Sequence, residues 1–165
     1  MKIGLLTISD RGARGEYEDR SGPLMADILT QRMPWQISHR AVVPDEIDVI
    51  ADTLVDWVAE GVNLILTSGG TGFAPRDITP EATRRVIERE APGIAEALRA
   101  ESLKITRHAM LSRAVAGIRE RTLIINMPGS PKAVAENLNV LLPILPHALE
   151  LLADSPNTEL QHRTV

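Results

Sequence analysis

Cysteine is absent from the 165-residue sequence, which excludes disulfide bonds, thiolate nucleophiles and zinc ribbons. A chain without cysteine is compatible with a reducing compartment, and we expect a cytoplasmic location. Aromatic residues make up only 2% of the chain, too few for a base-stacking platform that binds single-stranded nucleic acid. The first apolar stretch, Ile3 to Ile8, is too short for a secretion signal or a membrane span. Secretion and membrane insertion are therefore not expected.

An excess of positive charge is also missing. The sequence has 18 Lys and Arg against 22 Asp and Glu, a formal net charge of -4, which offers no broad attraction for nucleic acid or an anionic membrane. The histidines at positions 39, 108, 147 and 162 lack the spacing of a transition-metal site. Any metal is therefore expected on oxygen ligands, as Mg²⁺ is. Any bound phosphate must be held by a few local groups.

The pattern of apolar residues predicts a single α/β domain over residues 1–165. Apolar runs of strand length alternate with segments of helical period, which is typical of a sheet covered by helices. Strands are predicted at Lys2 to Ile8, Gln36 to Val43, Val62 to Thr67 and Thr122 to Asn126. The last two are apolar on successive residues, which indicates central strands of a parallel sheet. The polar tail, residues 154–165, is expected to fray.

Helices are predicted where apolar residues recur every three or four positions, as they do from Ile47 to Val58. Another helix should begin at Thr79, which can cap it, with Pro80 in its first turn, and Ser130 and Pro131 repeat this signal. Both starts follow a strand and a glycine turn, so their free amides are expected at the carboxyl edge of the sheet, where such sheets bind ligands. Weaker patterns predict a helix after Pro92-Gly93, a short strand within 113–118 and a helix over about 143–153.

The densest motif is TSGGTG, from Thr67 to Gly72, directly after a predicted buried strand. Its glycines allow a sharp turn that brings backbone N–H groups toward an anion, and the hydroxyls of Ser68 and Thr71 add donors. An ordinary strand-to-helix turn is the alternative interpretation. The motif is not a Walker loop, because no GK[ST] follows, and it lacks the GxGxxG order of a dinucleotide-binding turn.

Two aspartates are predicted at the same sheet edge. Asp77 follows Arg76 on the loop after the glycine motif, and Asp45 follows the second predicted strand. Carboxylate oxygens suit Mg²⁺, so the two side chains could share a hydrated cation. The alternatives are a helix cap for Asp45 and a cap or salt bridge for Asp77 with Arg76. Asp10 and the segment 127–132 follow two further strands, so four turns should surround one crevice.

Seven segments resemble one known family. They read TISDR, SGP, VVPDE, LTSGGTGFAPRDITPEAT, ESLKIT, AMLSRAVAGIR and LIINMPGSPKAVAENL. They are similar to the molybdopterin adenylyltransferase family, which includes MogA, MoaB and the G domains of gephyrin and of the plant molybdenum cofactor enzyme. The resemblance runs from Lys2 to about Ala153. It implies a three-layer α/β fold with a mostly parallel central sheet, a homotrimer, and transfer of AMP from Mg-ATP to the terminal phosphate of molybdopterin, which releases pyrophosphate.

The resemblance also implies residue roles. Asp45 and Asp77 match the aspartates that the family needs for catalysis with Mg²⁺. Positions that line its substrate pocket are matched by Ser9, Asp10, Ser68, Gly69, Gly70, Thr71, Gly72, Ser112, Pro128, Gly129, Ser130 and Pro131. Several relatives carry Asn or Gln at the position of Ser130, so a hydrogen bond there is expected to differ. The attacking phosphate is already ionised at neutral pH, so the transfer needs neither a serine nucleophile nor a histidine base.

Three alternatives stay open at this point. The chain could be a MoaB-like paralogue with another physiological role, or a non-catalytic molybdopterin-binding or scaffolding protein, as the gephyrin resemblance permits. The related domain of a nicotinamide-nucleotide amidase is disfavoured, because no second catalytic domain follows in the sequence. Retention of Asp45 and Asp77 beside the glycine motif favours catalysis. The resemblance further implies that a molybdate-inserting MoeA-like protein receives the product.

Overall fold

The computed structural model describes residues 1–153, and the predicted polar tail lies outside them. The strands are β1 (Lys2–Ile8), β2 (Gln36–Val43), β3 (Leu64–Ser68), β4 (Arg89–Glu90), β5 (Ala116–Arg119) and β6 (Thr122–Met127). They form one sheet in the order β2-β1-β3-β6-β5-β4. The neighbours from β2 to β6 are parallel, and β5 and β4 are added antiparallel. The carboxyl ends of four strands therefore lie at one edge.

Helices cover both faces of this sheet. They are α1 (Asp10–Ala13), α2 (Ser21–Arg32), α3 (Ile47–Ala59), α4 (Thr79–Val86), α5 (Pro92–Leu103), α6 (Pro131–Leu141) and α7 (Leu145–Leu152), and Arg107–Leu111 forms a 3₁₀ helix. Within residues 1–153, no helix is both long enough and apolar enough to cross a bilayer.

Two apolar cores lie on opposite faces of the sheet. Leu64 and Leu66 of β3 face one core, which includes side chains of α2, α5, α6 and α7. Ile65 faces the other core, which includes side chains of α3 and α4. Successive residues of a strand point to opposite faces, so an uninterrupted apolar strand requires this double cover. The predicted three-layer α/β fold is confirmed.

The strand predictions hold with small shifts at the ends. β1 and β2 have the predicted bounds, and β3 and β6 are neighbours in the middle of the sheet, as predicted. The third strand begins at Leu64 rather than Val62, because the N–H of Val62 donates to the Trp57 carbonyl and still belongs to the turn after α3. The last parallel strand continues one residue further, to Met127.

The two predicted helix caps have different outcomes. Ser130 caps α6, since its hydroxyl accepts from the N–H of Ala133 at 3.2 Å. The prediction that Thr79 caps α4 is wrong, because Ile78 occupies the cap position without a side-chain bond. The Thr79 hydroxyl instead donates to the Gly69 carbonyl at 2.9 Å. A tertiary bond to the glycine motif has replaced the local cap.

Asn126 is a buried polar residue at the centre of the sheet, 1% exposed. Its amide nitrogen donates to the hydroxyls of Thr67 at 3.0 Å and Thr83 at 2.9 Å, and its side-chain oxygen accepts from the N–H of Val115. This one side chain therefore ties β6 to β3, to α4 and to the segment before β5. All of its polar atoms are paired, which is the condition for burying an amide at low cost.

Replacement of this amide should destabilise the fold. Asn126→Ala leaves buried donors and acceptors of Thr67, Thr83 and Val115 without their partner, and each such loss costs about 1–3 kcal/mol. We expect urea denaturation to show at least about 1 kcal/mol lower free energy of unfolding. Asn139→Ala, on the exposed side of α6, is the control and should cost under about 0.5 kcal/mol. Equal losses in the two variants would contradict this account.

Candidate active site

The turns after the four parallel strands surround one cleft of about 430 Å³. Ser9 follows β1, Asp45 follows β2, Gly69 follows β3 and Gly129 follows β6, and all four residues line it. Asp77, on the loop that leads into α4, also lines it. We call this the carboxylate cleft, and it lies at the predicted edge of the sheet.

Asp45 and Asp10 lock the first two turns together. The N–H of Asp10 donates to the Asp45 carboxylate at 2.8 Å, and the N–H of Asp45 donates to the Asp10 carboxylate at 3.1 Å. Arg76 then binds both oxygens of Asp10, at 2.8 and 2.9 Å. The Asp45 side chain is therefore directed across the cleft and does not cap α3, whose cap position belongs to Glu46. The structure rules out the cap interpretation of Asp45.

The carboxylates of Asp10 and Asp45 differ in their electrostatic surroundings. Burial raises the pKa of Asp45, and the nearby charges of Asp10 and Asp77 raise it further, against lowering by the Asp10 N–H and by Arg76. The hydrogen bond from Arg76 lowers the pKa of Asp10. Asp10 thus has its own cation, whereas Asp45 carries a negative charge that its surroundings disfavour. A carboxylate whose ionised form costs folding free energy is typical of a functional site.

Asp77 is held by bonds within the loop that follows the glycine motif. One of its carboxylate oxygens accepts from the N–H of Ala74 at 2.8 Å, and its own N–H donates to the Ala74 carbonyl at 2.8 Å. A side-chain carbon on Gly72 would lie 2.8 Å from this carboxylate, which would have to move to make room for it. The predicted alternative of a salt bridge between Asp77 and Arg76 is not formed, because Arg76 pairs with Asp10.

The glycine motif is shaped by two residues in the left-handed region, Gly69 with φ +107° and Gly70 with φ +62°. A side-chain carbon on Gly69 would collide with the Ile8 carbonyl, and one on Gly70 would collide with the Thr79 hydroxyl and lie 3.1 Å from Asp45. The motif therefore packs directly against the end of β1 and the start of α4. This contact brings the glycine turn within reach of the Asp45 carboxylate.

The predicted pocket residues fall into two neighbouring cavities. The carboxylate cleft is lined by Ser9, Asp45, Ser68, Gly69, Gly70, Asp77, Gly129, Ser130 and Pro131. A second cavity of about 240 Å³, here called the apolar cavity, is lined by Thr71, Gly72, Ser112 and Pro128 together with apolar residues of α5 and the 3₁₀ helix. Asp10 lines neither cavity and acts through its contacts with Asp45 and Arg76. The glycine motif thus lines two cavities rather than one.

Several residues that shape the site were not predicted. The Asp19 carboxylate accepts from the N–H groups of Ser21 and Gly22 and from the Thr7 hydroxyl, all at 3.0 Å, and Asp19 lines the carboxylate cleft. Arg113 contacts both ends of the loop after the glycine motif. Asp19 bonds locally, to N–H groups two and three residues further along. The side-chain partners of Arg113 are up to 41 residues away in the sequence, so no local spacing signals its role. Arg113 lies within the MLSR segment of the family resemblance, and Asp19 lies two residues before the SGP segment.

The carboxylate cleft is lined by side chains of both charge signs. Arg11 and Arg20 line it together with Asp45 and Asp77. The Arg11 guanidinium lies 5.2 Å from the centre of the Tyr17 ring, a cation–π contact. A cleft that carries both charge signs suits an anionic ligand that arrives with a cation.

A family model described as a probable molybdopterin binding domain matches residues 4–147. A protein named molybdopterin adenylyltransferase from Helicobacter pylori strain J99 is 43% identical over 91% of this chain and 86% of its own length. The chain belongs to the molybdopterin-binding domain family.

Two further family members show the range of proteins that contain this domain. A MoaB structure from Thermus thermophilus, described as a molybdopterin biosynthesis enzyme, is 49% identical and superposes with a TM-score of 0.88 over 94% of this chain and 98% of its own. Gephyrin from Dictyostelium discoideum is 44% identical over 98% of this chain, which spans only 24% of gephyrin's length. The family resemblance and the fold it implied are confirmed.

The donor atoms in the carboxylate cleft fit one class of metal. Among residues 1–153, no three His, Cys, Asp or Glu side chains are grouped to enclose an ion. Asp45 and Asp77 are two oxygen donors that line the same cleft. Mg²⁺ is commonly held by one or two carboxylates, with waters and substrate phosphates as its remaining ligands. The site therefore fits Mg²⁺ bound together with a phosphate compound.

The raised pKa of Asp45 predicts that its charge lowers stability. Folding favours the protonated form, so the ionised form at neutral pH costs free energy that is absent below about pH 4. Asp45→Asn should therefore melt at the same or a higher temperature than the wild type at pH 7, and the difference should shrink as the pH falls toward 4. Asp19→Asn, which weakens three hydrogen bonds, is the control and should melt lower. A lower melting temperature for Asp45→Asn at pH 7 would contradict the assignment.

Gly70 should tolerate alanine far less well than Gly61. Both residues have positive φ, +62° and +76°, so alanine costs about 1–2 kcal/mol of backbone strain at either position. A side-chain carbon at Gly61 meets nothing within 4 Å, whereas one at Gly70 meets Thr79 and Asp45. We expect Gly70→Ala to lower the free energy of unfolding by clearly more than Gly61→Ala in urea denaturation. Equal costs would show that the packing of the glycine turn against α4 is loose.

Proposed function

We propose that this protein is a molybdopterin adenylyltransferase of molybdenum cofactor biosynthesis, which transfers AMP from Mg-ATP to the terminal phosphate of molybdopterin and releases pyrophosphate. The observation that carries the proposal is the presence of Asp45 and Asp77 in one cleft beside the glycine motif. The name of the Helicobacter pylori relative, which this chain matches over most of both lengths, supports the same activity.

The chemistry of such a transfer agrees with the groups that the cleft provides. Both substrates are anions, and two unit charges about 4 Å apart repel by roughly 4 kcal/mol at an effective dielectric constant near 20. Asp45 and Asp77 would hold the magnesium ion, which supplies positive charge between the phosphates when it is bound. The phosphate nucleophile needs no base, and the residues proposed to act include no serine nucleophile and no histidine.

Backbone amides and the arginines of the cleft would bind the phosphate oxygens. The glycine motif and the first turn of α6 meet at the cleft, which Gly69, Gly70 and Gly129 line, and the lack of side chains lets these turns pack closely there. Arg11 and Arg20 lie on the same cleft and would attract the pyrophosphate as charge moves onto it. The neighbouring apolar cavity, with Ser112 at its wall, is large enough to contribute to binding of the organic part of a substrate.

The non-catalytic alternatives do not explain the charged Asp45 in the cleft. A scaffolding or storage protein would gain nothing from the raised pKa of Asp45, whose charge costs stability. The structures of MogA and of the Thermus thermophilus MoaB superpose equally well on this chain, each with a TM-score of 0.88. The fold is therefore shared by proteins of both names, and an assay of AMP transfer separates a catalytic protein from a binding protein.

Assembly and partners are further parts of the proposal. We propose a homotrimer, as the family resemblance implies. Exposed apolar side chains support this proposal, because contacts between subunits would bury them. They cluster where α5 leads into the 3₁₀ helix, at Leu103, Ile105, Met110 and Leu111. Delivery of the product to a molybdate-inserting MoeA-like protein and a cytoplasmic location stay predictions from the sequence.

Substitution of either aspartate should separate binding from transfer. In Asp45→Asn and Asp77→Asn the shape of the cleft is kept and one negative charge is lost. We expect molybdopterin binding within about threefold of the wild type, and AMP transfer at least about 100-fold slower, the loss typical of removing one preorganised electrostatic group. The assay follows adenylylated molybdopterin and pyrophosphate formed from α-labelled ATP. Asp48→Asn, on the exposed side of α3, is the control and should leave the rate unchanged. Wild-type turnover in both cleft variants would refute the assignment.

A further inference from the structure

Arg113 is bonded to the glycine motif, to the loop that follows it and to the first turn of α4. Its N–H donates to the Thr71 carbonyl at 2.9 Å, and its Nε donates to the Gly72 carbonyl at 2.7 Å. Its Nη2 donates to the carbonyl of Asp77. Its two terminal nitrogens, Nη1 and Nη2, both donate to the carboxylate of Glu81, which lies in the first turn of α4. One side chain thus closes the loop from residue 72 to residue 77 at both ends.

The loop that Arg113 closes has few other supports. Its middle, from Phe73 to Arg76, is exposed, and the Phe73 side chain is 67% exposed. Within the loop, the Ala74 N–H and carbonyl are bonded to Asp77, so these bonds move with the loop and do not anchor it. The Arg76 side chain reaches Asp10 from the surface. Arg113 is therefore the partly buried anchor that sets where Asp77 lies relative to the sheet.

A planar guanidinium is suited to this task. Its five N–H groups have fixed directions, so it can hold two backbone carbonyls and a carboxylate at once, which the single ammonium of lysine cannot do. Hydrogen bonds to a charged group are also stronger than neutral ones. Glu81 balances the positive charge of Arg113 and keeps its guanidinium group oriented. The two side chains are only about one third exposed, Arg113 at 34% and Glu81 at 39%.

The same short segment also reaches the apolar cavity. Ser112, directly before Arg113, lines that cavity together with Thr71 and Gly72, whose carbonyls Arg113 holds. The position of Arg113 therefore links the wall of the apolar cavity to the loop that carries Asp77 into the carboxylate cleft.

We propose that Arg113, oriented by Glu81, is a positioning residue that holds the loop from Gly72 to Asp77 closed, and so places the Asp77 carboxylate opposite Asp45 for binding of a divalent cation. The cation and the transfer reaction rest on the proposed function, whereas the closure of the loop is a property of the protein alone. Arg113 itself is not expected to touch the reacting phosphates.

Hydrogen–deuterium exchange of the metal-free protein tests the closure directly. We expect Arg113→Met to raise the exchange of backbone amides in residues 72–79 roughly tenfold or more, because charge-assisted hydrogen bonds that close the loop are lost. Exchange in β3 should stay unchanged. Arg119→Met is the matched control. The Arg119 side chain also donates to a backbone carbonyl, that of Val86 at 2.9 Å. Arg119 lies opposite Thr122, the first residue of β6, and therefore at the sheet edge away from the carboxylate cleft. Arg119→Met should leave residues 72–79 protected.

The second readout is the concentration of Mg²⁺ that half-saturates AMP transfer. A residue that orients a metal ligand typically changes metal affinity or activity by about 10–100-fold when it is replaced. We expect such a rise for Arg113→Met, a smaller rise for Arg113→Lys and Glu81→Gln, and molybdopterin binding within about threefold of the wild type.

Unchanged exchange of residues 72–79 in Arg113→Met, or an equal rise in Arg119→Met, would overturn the proposal. If Arg113→Met does not fold, the exchange of Arg113→Lys and Glu81→Gln decides the question in the same way. A wild-type protein that transfers no AMP would defeat the proposed function, yet the exchange data would still decide whether Arg113 closes the loop.

Discussion

Repulsion between carboxylates at one edge of a parallel sheet is the constraint on which the site depends. Burial raises the pKa of Asp45, and Asp10 and Asp77 lie close enough that their charges raise it further. Arg76 neutralises Asp10 with a two-point contact, and the Asp10 N–H holds the Asp45 carboxylate. Two negative charges remain without a cation of their own among these contacts. The proposed Mg²⁺ would relieve this repulsion, so on this proposal the ligands complete the site.

The fold provides this arrangement through strand direction and glycine. Parallel strands bring the turns after β1, β2, β3 and β6 to one edge, and helices on both faces stabilise the buried strands between them. Gly69 and Gly70 then let the central turn pack against β1 and α4. Larger residues there would push the turn away from Asp45. The stability of the sheet and the geometry of the cleft therefore depend on the same few contacts.

Much of the fold was predictable, because it follows from local patterns. The apolar runs of β3 and β6 predicted the centre of the sheet, and Ser130 with Pro131 predicted the start of α6. The helix α2 was not predicted, since it begins with Ser-Gly-Pro and only Met25 and Leu29 among its apolar residues are deeply buried. The two-residue strand β4 is too short to leave a periodic pattern.

The site was predictable only in part. The edge location of Asp45 and Asp77 followed from strand order, while their proposed roles came from the family resemblance. The bond from Thr79 to Gly69 replaced an expected cap, and the side-chain contacts of Arg113 join residues 32 to 41 positions apart, so no local spacing encodes them.

The most direct test of the account is a crystal structure with Mn²⁺ in place of Mg²⁺ and a non-hydrolysable ATP analogue, in which anomalous scattering locates the ion. We predict that the ion lies in the carboxylate cleft, with oxygens of both Asp45 and Asp77 bound directly at about 2.0–2.2 Å or through one metal-bound water each. An ion in the cleft that neither carboxylate contacts, or a nucleotide and ion bound elsewhere on the protein, would contradict it.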